Sequence, residues 1–401
     1  MHRVSIRAIG SLFASTLLAA GLVGVVAGPA SAASPPFALP AATLNVHCWP
    51  SGFSTINAAV GAARAGDTIR VCAGTYHEDV VVPPSKSLTI DGVGNPLIDA
   101  TGLNNGVQIL ASNSVIEGFT IESAIGEGIL VQGTPGAPVT GVTVEGNTVE
   151  HNDLGNPTGG PISSSSYPEC NAQGLVPGDC GEGIHLMVAH DSSVVANQVA
   201  NNSGGILLSD EFGPTSGNLI AFNSVYGNTL DCGITVVGHN SGAFQNGQAQ
   251  PSVGGVFNNS IVSNVISGNG LAGQGAGVIL ATGPPGGAVY NNMVRANRIS
   301  DNGLGGVTVH SHAPGQDLNG NVIQDNLIGT NNLDGDFDFS PFVDPFTTGV
   351  TVASVAPLTI TIQNNVISNN TYGIWMLRTV SAMGLGSNLF QQVTNPVVIA
   401  S

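Results

Sequence analysis

Charge is what this sequence has least of. Only 8 % of its 401 residues are Asp, Glu, Lys or Arg, and 8 basic side chains stand against 25 acidic ones, a formal net charge of −17. So few charges exclude a surface of ordinary helices, which is usually laced with Glu and Lys. They also exclude a nucleic-acid binder that works by neutralising phosphates. Aromatic residues are sparse too, at 5 %, although hydrophobic residues reach 42 %. A core must therefore be built from Val, Ile, Leu and Ala with few rings. That hydrophobic content with so little charge excludes a disordered chain. Beyond the first thirty-odd residues no apolar run is long enough for a membrane-spanning helix.

The early run reads as an address. Arg3 and Arg7 open it, an apolar stretch follows from Leu12 to Val26, and Ala30-Ser31-Ala32 supplies a small-residue cleavage site. The expectation is a secreted protein, cleaved near Ala32, with no membrane attachment afterwards. Losing residues 1–32 removes two Arg and no acid, so the charge becomes 6 − 25 = −19. Such a chain disfavours anionic membranes and polyanionic substrates unless a metal ion or a local basic site intervenes. Export permits disulfides. By proximity, Cys48 pairs with Cys72 and Cys170 with Cys180, leaving Cys232 over; other pairings remain open.

A six-residue phrase, Asn-x-(Val/Ile)-x-x-Asn, dominates the rest. It begins at Asn147, Asn197, Asn223, Asn264, Asn297, Asn326 and Asn365, with a degenerate copy that places Phe119 in the first Asn position. Three residues before each first Asn stands an aliphatic residue, from Val144 and Val194 to Ile323 and Ile362. A second phrase follows each Asn phrase: Gly, aliphatic, any residue, aliphatic. It runs from Gly106 and Gly128 through Gly183, Gly205, Gly233, Gly277, Gly306 and Gly349 to Gly373. Each unit thus holds two short strands of period two, punctuated by Asn and Gly. No unit can bury its aliphatic face alone, so neighbours must stack. The expected fold is all-β: a right-handed parallel β-helix solenoid of about ten coils. The Asn column is expected at turns, where a side-chain amide bonds the coils above and below. Residues 33–52 read as a leader and 53–398 as one domain.

The segment from Phe53-Ser-Thr-Ile-Asn-Ala-Ala-Val to Gly74-Thr-Tyr76-His-Glu78 resembles the opening of the right-handed parallel β-helix proteins of the pectin-lyase-like superfamily. The resemblance implies a capping helix, a turn and a first coil, and extends over about residues 45 to 390. The residues say the same. Ile56, Ala59, Val60 and Ala63 line one helical face over about 54–65, Ser54 is placed to act as N-cap, and Gly66 ends the helix. The superfamily hosts lyases, hydrolases, epimerases and noncatalytic binding proteins, so the likeness speaks for fold and not for activity.

Three longer stretches break the spacing, at 154–181, 240–254 and 332–348. Loops there are expected to wall a lateral groove suited to an elongated ligand. Counting on from each Gly aligns the outward positions. Six residues past the Gly, Glu211 and His239 fall on adjacent coils; His310 and His312 share one strand two coils further on. Asp210 adjoins Glu211, and Asp317 follows His312 in the same coil. A carboxylate beside imidazoles can run proton transfer near neutral pH, so Glu211, Asp210, His239, His310 and His312 form the candidate catalytic set. The His-x-His spacing also suits a metal ion. His185 reads as a lone outward histidine. Arg295, Trp375 and Asp317 are candidate substrate contacts, Trp375 as a stacking platform. Asp334, Asp336 and Asp338 alternate in a loop, an oxygen-rich run that points to calcium but lacks the distal bidentate Glu of a calcium loop.

No family catalytic motif transfers. Polyuronate lyases of the superfamily use a Lys or Arg base and basic subsites, and few basic residues exist here. The Asn-Thr-Asp, Asp-Asp, Gly-His-Gly and Arg-Ile-Lys phrases of polygalacturonase-like hydrolases are absent. The Asp-Pro-His of alginate epimerases is missing as well, since Asp344-Pro345 is followed by Phe346. The expectation is a secreted carbohydrate-active protein that hydrolyses a neutral or weakly charged polysaccharide in a lateral groove, with elimination or epimerisation of such a chain as the lesser alternative. A noncatalytic polysaccharide binder is the second reading. A metal-binding accessory protein is the third, since a β-helix protein of the nitrous-oxide-reductase maturation system shares this architecture. Oligomeric state is not legible.

Overall fold

The computed structural model describes residues 40–152, 182–272, 275–335 and 346–400. The expected signal, the Cys170–Cys180 pair, and Asp336, Asp338 and Asp344 lie outside the described residues. The chain divides into two units, Met1–Pro40 and Ala41–Ser401, and every described strand and helix belongs to the second.

The backbone of that second unit winds as a right-handed parallel β-helix. Three strands per coil stack into three long sheets. A leading sheet of twelve strands runs from Thr43–Val46 to Val380–Met383. An eleven-stranded sheet carries the Asn phrases, from Thr75–Tyr76 to Leu389–Gln391. Another eleven strands carry the Gly phrases, from Val80–Val82 to Asn395–Ala400. A short fourth sheet of five strands, Val139–Thr140 to Val289–Tyr290, lines the middle coils. Residues 43–46, read as part of a leader, are thus already a strand, paired in parallel with Thr68–Cys72.

The sequence implied two strands per unit, and the structure has three. The aliphatic residue three places before each Asn belongs to a strand of its own. The chain bends between it and the Asn phrase because the residue just before Asn is left-handed: Ala196 has φ 55°, Phe222 58° and Ala296 55°. Register is kept through every coil. Val144, Val194, Ile220, Ile261, Val294, Ile323 and Ile362 stand rung on rung. They and the inward columns of the other two sheets form one continuous core. Each such side chain is worth about 1.5–3 kcal/mol of burial.

The Asn side chains form ladders. Asn147, Asn197, Asn223, Asn264, Asn297, Asn326, Asn365 and Asn388 are linked head to tail. Asn264 shows the unit. Its Nδ2 donates to the Ile220 carbonyl at 2.9 Å and to Asn297 Oδ1 at 3.0 Å, while its Oδ1 accepts from the backbone and the side chain of Asn223. A second ladder runs from Asn152 to Asn331, with Asn370 receiving the Asn331 backbone N–H. The Gly phrases exist because of this column. A Cβ on Gly233 would sit 2.6 Å from Ile266 Cγ2 and 2.8 Å from Asn269 Nδ2. Close approach to the neighbouring coil, and not a bend in the backbone, is what demands glycine there.

The N-terminal end is closed by α1 (Ile56–Ala62), which buries Ile56, Ala59 and Val60. Its N-cap is Thr55 and not Ser54: the Thr55 hydroxyl accepts the Ala58 N–H at 3.1 Å. Helix geometry ends at Ala63, earlier than expected, and Gly66 (φ 89°) serves the following turn. The Glu78 carboxylate accepts the Ile56 and Asn57 N–H groups at 2.8 and 2.9 Å, satisfying donors that a helix start leaves open. Cys48 and Cys72 are disulfide-bonded.

Candidate functional site

Along each Gly-phrase strand, inward aliphatics alternate with outward residues. Two outward columns are in strict register. One contains Leu130, His185, Leu207, Thr235 and Ile279; the other contains Gln132, Met187, Ser209, Val237, Ala281 and His310. Both are covered in the middle coils, where Gly204–Ser209 and Ile234–Gly238 are buried throughout.

On this face Glu211 and His239 meet. Glu211 Oε1 lies 2.8 Å from His239 Nδ1, and both side chains are only 1 % exposed. The other oxygen, Oε2, accepts the Ser209 hydroxyl. Ser209 Oγ also lies 2.7 Å from His185 Nε2, and His185 Nδ1 lies 2.9 Å from Glu127 Oε1. Glu127 Oε2 accepts the Glu182 N–H at 2.9 Å. The result is an unbroken line, Glu127–His185–Ser209–Glu211–His239, across four successive coils.

Two of the proton arrangements open to this line involve Ser209 as a relay. In one arrangement His185 carries two protons, one toward Glu127 and one toward Ser209, and the hydroxyl points at an ionised Glu211. In the other, Glu211 is protonated toward Ser209, the hydroxyl points at His185, and His185 is neutral. They differ only by two protons shifting through Ser209. Burial works to raise the Glu211 carboxyl, but the hydrogen bond and charge of His239, the charge of His185 and the Ser209 hydroxyl outweigh it and hold it down at about 2. That favours an ionised Glu211 that accepts the Ser209 hydroxyl proton.

Asp210 faces elsewhere. Its Oδ1 accepts the N–H of His239 at 2.6 Å and of Asn240 at 3.0 Å, and its Oδ2 accepts the Gly255 N–H. Burial and the neighbouring Glu211 push its carboxyl up to about 6, against the backbone donors. It pins the 240–254 loop, which contains a small antiparallel hairpin, Phe244–Gln245 with Gln248–Ala249.

His310 and His312 lie together, edge to face, with ring centroids 5.5 Å apart. His310 is buried, while His312 is exposed and its Nδ1 lies 3.1 Å from the Thr282 carbonyl. Gln316 holds this corner through the Thr282, Gly283 and Pro284 carbonyls. The pair stands two rungs, about 10 Å, beyond His239. The other named residues are dispersed. Arg295 is on the leading sheet, ion-paired with Asp325 at 3.2 Å. Trp375 shares the Gly-phrase sheet but is five rungs from Glu211 and 7 % exposed. Asp317 is buried; its Oδ1 takes the Asn319 backbone and side-chain N–H groups. With burial, Asp317 pushes Tyr290 up to about 12, burial contributing more. Asp334 alone of the acidic run is described, and slight burial raises its carboxyl.

Among the described residues, two groups have donor atoms close enough for a metal ion: Glu122, Glu150 and His151, and the buried Glu127, Glu182 and His185. In the second, the described hydrogen bonds already engage both His185 nitrogens and both Glu127 oxygens. A metal ion that favours imidazole and sulfur donors would find one committed imidazole and two carboxylates. That donor set is a poor fit.

Sequence reasoning missed Glu127, Ser209 and the part played by His185. One signal was present: Gly-Glu-Gly-Ile occurs twice, at 126–129 and 181–184.

This architecture makes the chain a right-handed parallel β-helix protein. The family model described as periplasmic copper-binding protein (NosD) matches residues 178–341, less than half of the chain. No curated protein matches. Among solved structures, the A-module of the Azotobacter vinelandii mannuronan C-5 epimerase AlgE4 is similar at 17 % identity, covering 86 % of this chain and 91 % of that one, with a TM-score of 0.45. Polygalacturonase from Erwinia carotovora ssp. carotovora is similar at 15 % identity over 85 % of this chain and 96 % of that one, with a TM-score of 0.47. A lacto-N-biosidase from Eubacterium ramulus gives 10 % identity over 90 % and 67 %, with a TM-score of 0.47. Among the described residues no helix is long and apolar enough to cross a membrane.

Proposed function

We propose that this is an exported, carbohydrate-active β-helix enzyme that hydrolyses a neutral or weakly charged polysaccharide, with His239 as the proton-transferring group. The observation that carries this reading is the buried Glu211–His239 pair and the hydrogen-bonded line behind it. Glu211, held ionised, is a poor acid but a good orienter. It fixes the His239 tautomer with Nδ1–H toward itself and stabilises the imidazolium. Nε2 is then the atom that exchanges a proton with a glycosidic oxygen or a water. His185 lies behind Ser209, its Nε2 2.7 Å from the hydroxyl. Desolvation strengthens each of these interactions, and contact with substrate requires the substrate to replace what covers the pair. The scarcity of basic residues supports a neutral glycan over a polyuronate.

The test is turnover on a panel of neutral oligosaccharides and polysaccharides. Glu211→Gln and His239→Asn are each expected to lower kcat/KM by about 100-fold to 10,000-fold with an unchanged circular dichroism spectrum. Undiminished turnover in either variant, or no turnover by the parent protein on any glycan, overturns the reading. A second reading, a metal-binding accessory protein, is favoured by the partial family match, which spans His185, Ser209, Glu211, His239, His310 and His312. Stoichiometric metal in protein purified without added chelator would support it.

A further inference from the structure

Glu127 and Glu182 each stand two residues before a paired isoleucine, Ile129 and Ile184, so the two carboxylates fall at the same place on adjacent coils. His185 joins them. The donor atoms of the three lie within 4.8 Å of one another, and none of these residues is more than 2 % exposed. Like charges on neighbouring rungs repel, and buried charges need compensation. Even a doubly protonated His185 balances only one of the two carboxylates. No Lys or Arg supplies the remainder, since the sequence holds neither between Lys86 and Arg295. Lys86 Nζ is engaged by the Val60 and Gly61 carbonyls at 2.7 Å, and Arg295 by Asp325. Gly204, paired with Glu182 on the next coil, keeps room for this group: a Cβ there would lie 3.0 Å from Glu182 Cγ and 3.3 Å from its Oε1.

We propose that Glu127, Glu182 and His185 hold a resident divalent cation of the kind that accepts carboxylate and imidazole together, such as manganese or zinc. The ion takes the place of the proton between His185 Nδ1 and Glu127 Oε1, and that proton leaves to solvent. The 2.9 Å between those two atoms is the spacing of neighbouring corners of an octahedron with bonds of about 2.1 Å. Glu182 supplies a further corner. Two hydrogen bonds stay in place and orient the ligands: the Glu182 N–H donates to Glu127 Oε2, and His185 Nε2–H donates to Ser209 Oγ at 2.7 Å. The Ser209 hydroxyl then points at Glu211. One divalent charge balances both carboxylates. The site rests on neither functional reading above, because an ion enclosed by buried side chains is held and not carried as cargo.

Metal analysis of the full chain, purified without chelator and dialysed against Mn²⁺ or Zn²⁺, tests this. About one equivalent per chain is expected. Its removal by chelator should lower the thermal midpoint, and re-addition should restore it. Glu182→Gln is expected to weaken binding by roughly 100-fold or more. Should Glu182→Gln fail to fold, Glu182→Asp, which keeps the charge but shortens the reach, is expected to weaken it by at least about 10-fold. In Mn²⁺-loaded protein, pulsed electron paramagnetic resonance is expected to show coupling to an imidazole nitrogen that is lost in His185→Gln. Glu150→Gln, in the exposed group formed with Glu122 and His151, is expected to leave binding unchanged. A parent protein without metal or metal-dependent stability, full binding by the Glu182 variants, or binding lost in Glu150→Gln instead overturns the inference. So does copper bound to the exclusion of manganese and zinc.

Discussion

Asp210 and Glu211 are neighbours in sequence and opposites in chemistry. Glu211 is depressed from 4.5 to about 2, so it stabilises the fold above its unfolded value, and that contribution is lost as pH falls from about 4.5 toward 2. Asp210 is raised from 3.8 to about 6, so its ionised form costs stability at neutral pH, and that cost is relieved as pH falls from about 6 toward 3.8. Each shift corresponds to about 3 kcal/mol. Unfolding midpoints in urea should therefore rise from pH 7 to pH 5 and fall below about pH 4. Asp210→Asn keeps the shape but places an amide N–H₂ or its oxygen wrongly for at least one of three backbone donors. The relieved charge, about 3 kcal/mol, and the misplaced backbone donor, about 1–3 kcal/mol, oppose each other, so a change of no more than about 2 kcal/mol at pH 7 and a flattened rise toward pH 5 are expected, read by the same urea titration.

Elements, in contrast, depend on repetition. Asn264 satisfies the Ile220 carbonyl, Asn297 Oδ1 and two donors of Asn223, all buried. Asn264→Ala strands these groups and should cost about 3 kcal/mol. Asn264→Asp should cost more, because a carboxylate then faces two oxygen acceptors; thermal unfolding of the two variants separates the cases. Ala296 sits left-handed at φ 55° next to the same ladder, and Ala296→Gly should raise stability by up to about 1 kcal/mol. The ladder was legible because its phrase recurs in seven coils. A third ladder, Asn218–Asn259–Asn292–Asn321, was not, since it occupies only four coils and stands five residues before each first Asn. The site divides in the same way. Glu211 and His239 were found by counting along one column of neighbouring coils. His185 reaches Ser209 diagonally, from one outward column to the other on the next rung, and column counting is blind to a diagonal.

For the whole molecule the decisive property is that each coil touches only its neighbours, so stability is nearly a sum of coil and interface terms. A perturbation at one end should fade before it reaches the other. The Cys48–Cys72 disulfide joins chain positions 24 residues apart at the N-terminal end. Its removal should cost about 3 kcal/mol of chain-entropy stabilisation, drawn from the first coils. The two Trp residues report selectively: Trp49 is 94 % exposed in the folded protein and gives little change on unfolding, while Trp375 is 7 % exposed near the far end. In a Cys48→Ser, Cys72→Ser variant, amide exchange of residues 43–76 should accelerate and the circular dichroism transition should broaden toward lower denaturant. The Trp375 emission transition should hold its midpoint. If both transitions move together by the same amount, the coils unfold as one cooperative block, and neighbour-only coupling is the wrong description of this solenoid.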